Sequence, residues 1–287
     1  MASRAHVIRT TASVLLTLAV VFLLIRFVLE LPVLYDYLRT LSRSYWTLLA
    51  SLLYAGAFYV RAVAWRVADQ RQAPLPIYLT SLYLGLAVNH LSPVKLGEGV
   101  RLLTARAIAS PLKRTTAILV AQRGIDLVVL GLFVSLGLLA TKTALPAGIA
   151  IVLGVLALVV VRPFLRTMYA LIGYGTLAWC LEAGAVYCLF LGVNAVLPFP
   201  LVLIAMSAGV LSGIAQFTPG GLGAYELAMG TVLQTAGVDH PYELALMTHT
   251  FKYAFAFIAP LYFLVRHHRS VTLLFRQFKN QQKGGSS

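Results

Sequence analysis

Thr218-Pro219-Gly220-Gly221-Leu222-Gly223-Ala224-Tyr225-Glu226 lies in the middle of an apolar run that extends from about residue 201 to 236. A helix cannot pass cleanly through it, because proline removes a backbone donor and clashes with the preceding turn, and glycine weakens helix. A second stretch of the same kind, Ser92-Pro93-Val94-Lys95-Leu96-Gly97-Glu98, interrupts the run from about 77 to 109. The surrounding composition makes these interruptions decisive. The chain has 287 residues, of which 60% are hydrophobic and only 11% charged, too apolar for a soluble domain of this length to hide in one core. Apolar runs of about 20 residues, enough to cross roughly 30 Å of hydrocarbon, recur along almost the whole sequence. The bilayer is therefore its solvent. Broken backbone at membrane depth is tolerated only where protein buries it or water reaches it, so both interrupted segments are expected to be re-entrant helical hairpins that line a cavity.

Working outward, full spans are predicted at about residues 10–29, 45–60, 115–140, 144–161, 167–193 and 244–265. Arg4 and Arg9 precede the first run as in a signal peptide. The run is too long for one and no small-residue cleavage site follows it, so a retained signal anchor is expected, with Arg26 and Glu30 as an interfacial pair near its far end. The formal charge of +14 is spread over short segments between apolar runs, a pattern of topology signals and anionic-lipid contacts rather than of nucleic-acid binding. The positive-inside rule places Arg4 and Arg9, a 61–71 loop, the 101–114 stretch, Arg162 with Arg166, and a basic tail at 266–287 on the cytoplasmic side. The loops near 31–44, Lys142 and Pro198 then fall outside, and both termini are cytoplasmic.

This topology makes the first hairpin enter from the cytoplasm and the second from the opposite side. Each half, about 10–140 and 144–265, comprises two spans, a hairpin and a third span, an odd number of crossings that inverts the second half. Superposing Pro93 on Pro219 also aligns Leu96 with Leu222 and Gly97 with Gly223. The predicted fold is an all-α polytopic membrane protein forming a single transmembrane domain, with about six full transmembrane helices and two re-entrant hairpins in an inverted repeat.

Ionisable groups inside membrane segments are costly and point to function. The first half carries Lys95, Glu98 and Arg101 at its hairpin, then Arg123 and Asp126 in the following span. The second carries Glu226 at its hairpin, then His249 and Lys252 in the last span, and Glu182 stands alone in the span before. Arginine and lysine facing a cavity suit an anionic headgroup, to which the amides of the Pro219 to Gly223 turn add donors. Arg123 and Asp126, three apart, can equally well satisfy each other. Lys113, Arg114 and the tail are expected to be interfacial charges, and Tyr45, Trp46 and Trp65 belt residues. Cys180 and Cys188, eight positions apart, read as packing residues on roughly one face. No metal spacing, nucleophile elbow or P-loop is present, so no enzyme activity and no cofactor is expected.

The first set of motifs, Asn89 through Pro93, Gly97-Glu98 and Arg101 followed by Arg123 and Asp126, resembles the pattern of the lysylphosphatidylglycerol synthase transmembrane family, a flippase-like group. The second set, Pro219-Gly220-Gly221-Leu222-Gly223 with Glu226, resembles that family's second signature, and the match spans about 45–265. In that family the membrane part moves an aminoacylated lipid between leaflets while a soluble part makes it. The resemblance implies the translocation half alone. Lys95 and Lys252 depart from it where arginine is the more usual residue.

The expected function is thus lipid translocation, as a flippase or scramblase-like transporter of a phospholipid or polyprenyl-linked lipid in a plasma (inner) membrane. Asn89, Pro93, Gly97, Pro219, Gly220, Gly221 and Gly223 would shape the site and the named charges would bind. The alternatives are a membrane-embedded lipid-modifying transferase and a non-transporting docking partner of a lipid-modifying enzyme. Expected partners are membrane lipids with anionic or zwitterionic headgroups, with a homodimer or an enzyme partner as further options.

Overall fold

The computed structural model is helical throughout the described residues, which are 29–92, 96–107, 110–139, 165–213 and 218–266 together with isolated helical positions between 15 and 26. The elements are α1 (Leu31–Leu41), α2 (Tyr45–Ala68), α3 (Leu75–Leu91), α4 (Gly97–Ala107), α5 (Leu112–Leu139), α6 (Leu165–Gly192), α7 (Phe199–Ser212), a 3-10 turn (Pro219–Gly221), α8 (Ala224–Thr235) and α9 (Pro241–Arg266). Four of these, α2, α5, α6 and α9, contain stretches long and apolar enough to cross a membrane. At 1.5 Å per residue they measure about 36–42 Å, whereas α3, α4, α7 and α8 measure only about 16–26 Å and fall short of a roughly 30 Å core. The protein is a multi-pass helical membrane protein. The predicted spans at 10–29 and 144–161 lie largely or wholly outside the described residues.

Two boundaries differ from expectation, each for a physical reason. Helix α2 does not stop at residue 60 but runs to Ala68, so Arg61 belongs to a helix and not to a loop. A charge ends a membrane helix only when it has no partner in the protein, and Arg61 has one in Glu182. The chain leaves α2 through Gln70 and Arg71, both in the left-handed region at φ 55° and 60°. The 31–44 segment is helix α1, started by Pro32 in its first turn, with Leu34, Tyr37, Leu38 and Leu41 spaced to cover the core. Trp65 is fully buried rather than a belt residue. Cys188 is buried as a packing residue, whereas Cys180 is exposed.

The most extensive interface joins α2 to α6. Both bury small side chains at seven-residue spacing, Ala50, Ala57 and Ala64 on α2 and Ala178 and Ala185 on α6, which permits close backbone approach where no hydrophobic effect drives helices together. Around this pair, α3 packs on α4 and α7 on α8; α5 then lies against α7, and α9 against α3. Each long helix that follows a short pair thus rests on the first arm of the other pair. At one end Asp69, buried at 1% exposure, accepts hydrogen bonds from Tyr78 Oη and Ser110 Oγ, both at 2.7 Å. Arg114 donates to the Ala68 carbonyl at 3.1 Å and approaches Asp69 at 3.8 Å.

Asp69→Ala orphans two buried hydroxyls and the nearby guanidinium, which is expected to cost roughly 2–4 kcal/mol. Thermal unfolding in detergent should register this as a fall of about 5–10 °C. Asp69→Asn, which keeps an acceptor, should lose about half as much.

Candidate functional site

Four charged residues of the membrane helices lie near helix midpoints. Arg123 and Asp126 occupy the middle of α5, Glu182 the middle of α6 and Lys252 the middle of α9. The breaks between α3 and α4 and between α7 and α8 reach the same depth, because Asn89, Gly97, Gly213 and Gly220 join those residues around one cavity of about 250 Å³. Charge placed so deep must be answered within the protein.

The first cluster gathers around the start of α4. Glu98, in its first turn where the helix dipole favours a carboxylate, pairs with Arg101 at 3.3 Å. It also accepts from Arg123 Nε at 2.9 Å and contacts Arg123 Nη2. Arg123 Nη1 donates to Asp126 at 2.8 Å, so the guanidinium is shared between two carboxylates from different helices. The internal Arg123–Asp126 pair is therefore present without being the whole of either residue's bonding. Arg101 donates to Gln122, lies 4.4 Å from the Trp65 ring centre, and keeps one buried donor, Nε, with no hydrogen-bond partner among the described residues.

A second cluster is continuous with the first through Trp179. The indole Nε1 donates to Asp126 at 2.8 Å while its ring lies 4.6 Å from the Arg61 guanidinium. Arg61 pairs with Glu182 at 2.5 Å, and Lys252 approaches the same carboxylate at 4.0 Å. Glu182 is thus not isolated, as the sequence reading had it. Lys252 also lies over the Tyr225 ring at 4.9 Å.

The glycine-rich turn builds the third part. Gly220, Gly221 and Gly223 have φ of 63°, 80° and 92°, values that side-chain-bearing residues rarely adopt. A Cβ on Gly220 would collide with Tyr253, whose hydroxyl donates to the Pro219 carbonyl at 2.5 Å. Beyond the turn, Glu226 folds back to accept from the Gly223 amide at 2.7 Å and contacts His249 Nδ1 at 2.5 Å. The backbone amides of the turn are thus partly answered from within. In the first pair the junction is closed differently, by the Gly97 amide donating to Asn89 Oδ1 at 2.7 Å.

Of the residues singled out in the sequence, Asn89, Gly97, Glu98, Arg101, Arg123 and Asp126 from the first half meet Glu182, Gly220, His249 and Lys252 from the second around the cavity. Glu226 stands behind His249, and Pro219, Gly221 and Gly223 shape the turn without lining the space. Pro93 and Lys95 lie outside the described residues. The sequence reading missed Arg61, His90, Gln122, Trp179 and Tyr225, which also line it. Arg61 was assigned to a loop; the only signal was its place within an apolar run that continues to Ala68.

The model of the lysylphosphatidylglycerol synthase TM region matches residues 162–260, from the start of α6 to the last turns of α9. No curated protein and no solved structure matches the chain. The matched part of this family region, about a third of the chain, contains Glu182, the glycine-rich turn, Glu226, His249 and Lys252, while the motifs from Asn89 to Asp126 precede it.

Gly97 offers a clean test of how the first junction is closed. A Cβ there would collide with the Gly85 carbonyl oxygen and with the Asn89 side chain, whereas one on Gly99 meets nothing within 4 Å. Gly97→Ala is expected to destabilise by about 1–3 kcal/mol through overpacking, and Gly99→Ala to stabilise by up to about 1 kcal/mol through helix propensity. Melting temperatures of the two purified variants should move in opposite directions.

Proposed function

We propose that this protein translocates lipid across the bilayer, admitting the headgroup to the charged cavity while the acyl chains remain in lipid. The observation that carries this reading is the cavity itself, set at the middle of four long helices and between two helix pairs too short to cross. The fixed charges in and just behind it balance: Arg61, Arg101, Arg123 and Lys252 face Glu98, Asp126 and Glu182, with Glu226 behind His249. A phosphate entering there takes over Arg123 from Glu98 and finds the unused Nε of Arg101, and the released carboxylates accept a headgroup amine. A zwitterionic or anionic headgroup fits this exchange. The family match supports a lipid-related role in the membrane.

The reciprocal packing of α5 on α7 and of α9 on α3 supports an inverted repeat whose two halves rock about the α2–α6 interface, with α3–α4 and α7–α8 as re-entrant hairpins entering from opposite sides. In this reading the protein resides in a plasma membrane with cytoplasmic termini, has six full spans, and acts as a transporter without enzymatic chemistry.

The test is reconstitution into liposomes with fluorescently labelled phosphatidylglycerol or phosphatidylethanolamine, followed by dithionite quenching from outside. Wild-type protein should expose inner-leaflet label, and Arg123→Ala and Glu98→Ala should each slow this by about tenfold or more, as expected for loss of a charge-assisted contact worth at least roughly 1.4 kcal/mol. Lys113→Ala, at an exposed position in the first turn of α5, should leave the rate unchanged. Unchanged rates in both cavity variants would refute the site, and recovery of a chemically altered lipid would instead identify a transferase.

A further inference from the structure

We propose that the Glu226–His249 pair is a proton-binding site that couples proton movement to translocation, an inference that rests on the translocator reading. The pair is deeply buried, at 0% and 3% exposure, with 2.5 Å between Glu226 Oε1 and His249 Nδ1. The other carboxylate oxygen is held by the Gly223 amide at 2.7 Å. Glu226 does not line the cavity and His249 does, so a proton reaches or leaves the carboxylate through the imidazole.

The groups facing the pair are few. From α8 comes Tyr225, whose ring centre is 4.5 Å from that of His249; from α9 come Tyr253, at 4.9 Å, and Lys252; from α3 comes His90, at 6.4 Å. Helix α6 supplies Glu182, which draws Lys252 away toward Arg61 of α2. Helix α7 carries no titratable residue, and α1 meets α9 at its far end, near Glu243. Glu226 and His249 are joined by a direct contact through which one proton can be held or released.

The charge balance then sets the direction of coupling. With the pair deprotonated the four cations and four carboxylates cancel, and with a proton held the site carries one net positive charge. An anionic phosphate binds the protonated site better, and by linkage phosphate binding draws a proton in. Proton and anionic headgroup thus travel together.

Liposomes containing the full chain and labelled phosphatidylglycerol, with the membrane potential clamped by valinomycin and potassium, test this directly. An imposed pH gradient should change the wild-type initial rate by about fivefold or more relative to symmetric pH, the usual scale of coupling between two sites. Glu226→Gln and His249→Asn should lose that gradient response. Where either variant fails a melting-temperature check for folding, the wild type decides by a second measurement: in weak buffer at neutral pH, adding dihexanoyl phosphatidylglycerol to the detergent-solubilised protein should take up protons. Transport indifferent to the gradient, or absence of proton uptake, overturns the proton site and leaves translocation standing. Absence of lipid movement under every condition overturns the translocator reading itself, and proton uptake on lipid addition then still decides the site.

Discussion

A charge in a low-dielectric interior must be answered by another charge or by hydrogen bonds, and the middle of this protein is organised by that requirement. Arg61 on α2, only 18% exposed, pairs with Glu182 from α6. Lys252 on α9 leans on the same carboxylate, and Trp179 links Arg61 to Asp126 on α5. Four helices are thereby fixed in register by groups that none of them can satisfy alone.

The same requirement explains why the broken helices meet there. Every exposed amide at a break is a further polar group in hydrocarbon, and the two junctions meet this locally by different means. The first lends an asparagine side chain to the Gly97 amide and brings backbones so close that Gly85 and Gly97 exclude any side chain. The second folds through three glycines at positive φ and lets Glu226 return to the Gly223 amide. Beside both junctions the neighbouring arginines and lysine have carboxylate partners.

Much of the fold was legible in the sequence because the membrane imposes a long, one-dimensional signal. A helix must cross about 30 Å of hydrocarbon, so apolar runs report spans directly, and Pro and Gly within them report breaks through local backbone sterics. The long helices around residues 115–139, 167–192 and 244–265 and both interrupted segments were read in this way. The boundaries that differed, at α1 and at the end of α2, lie where a single charge or a loop-like composition was judged without knowledge of its partner. Leu34, Tyr37 and Leu38 mark α1 as amphipathic only once a surface exists for them to cover.

For the site, the sequence by itself determined which residues carried a desolvation cost that had to be answered: Glu98, Arg101, Arg123, Asp126, Glu182, Glu226, His249 and Lys252 all stand in apolar context, and that cost is a local property. It also determined the backbone of the Pro219 to Gly223 turn, since three glycines permit what other residues do not. Only the tertiary structure decided who answers whom. Arg123 is bound by Glu98 from 25 positions away, Glu182 by Arg61 from the other side of the chain's main interface, and Trp179 serves two charges at once. Such pairings depend on which faces of separate helices come together, and helix packing, not the period of any one segment, sets that.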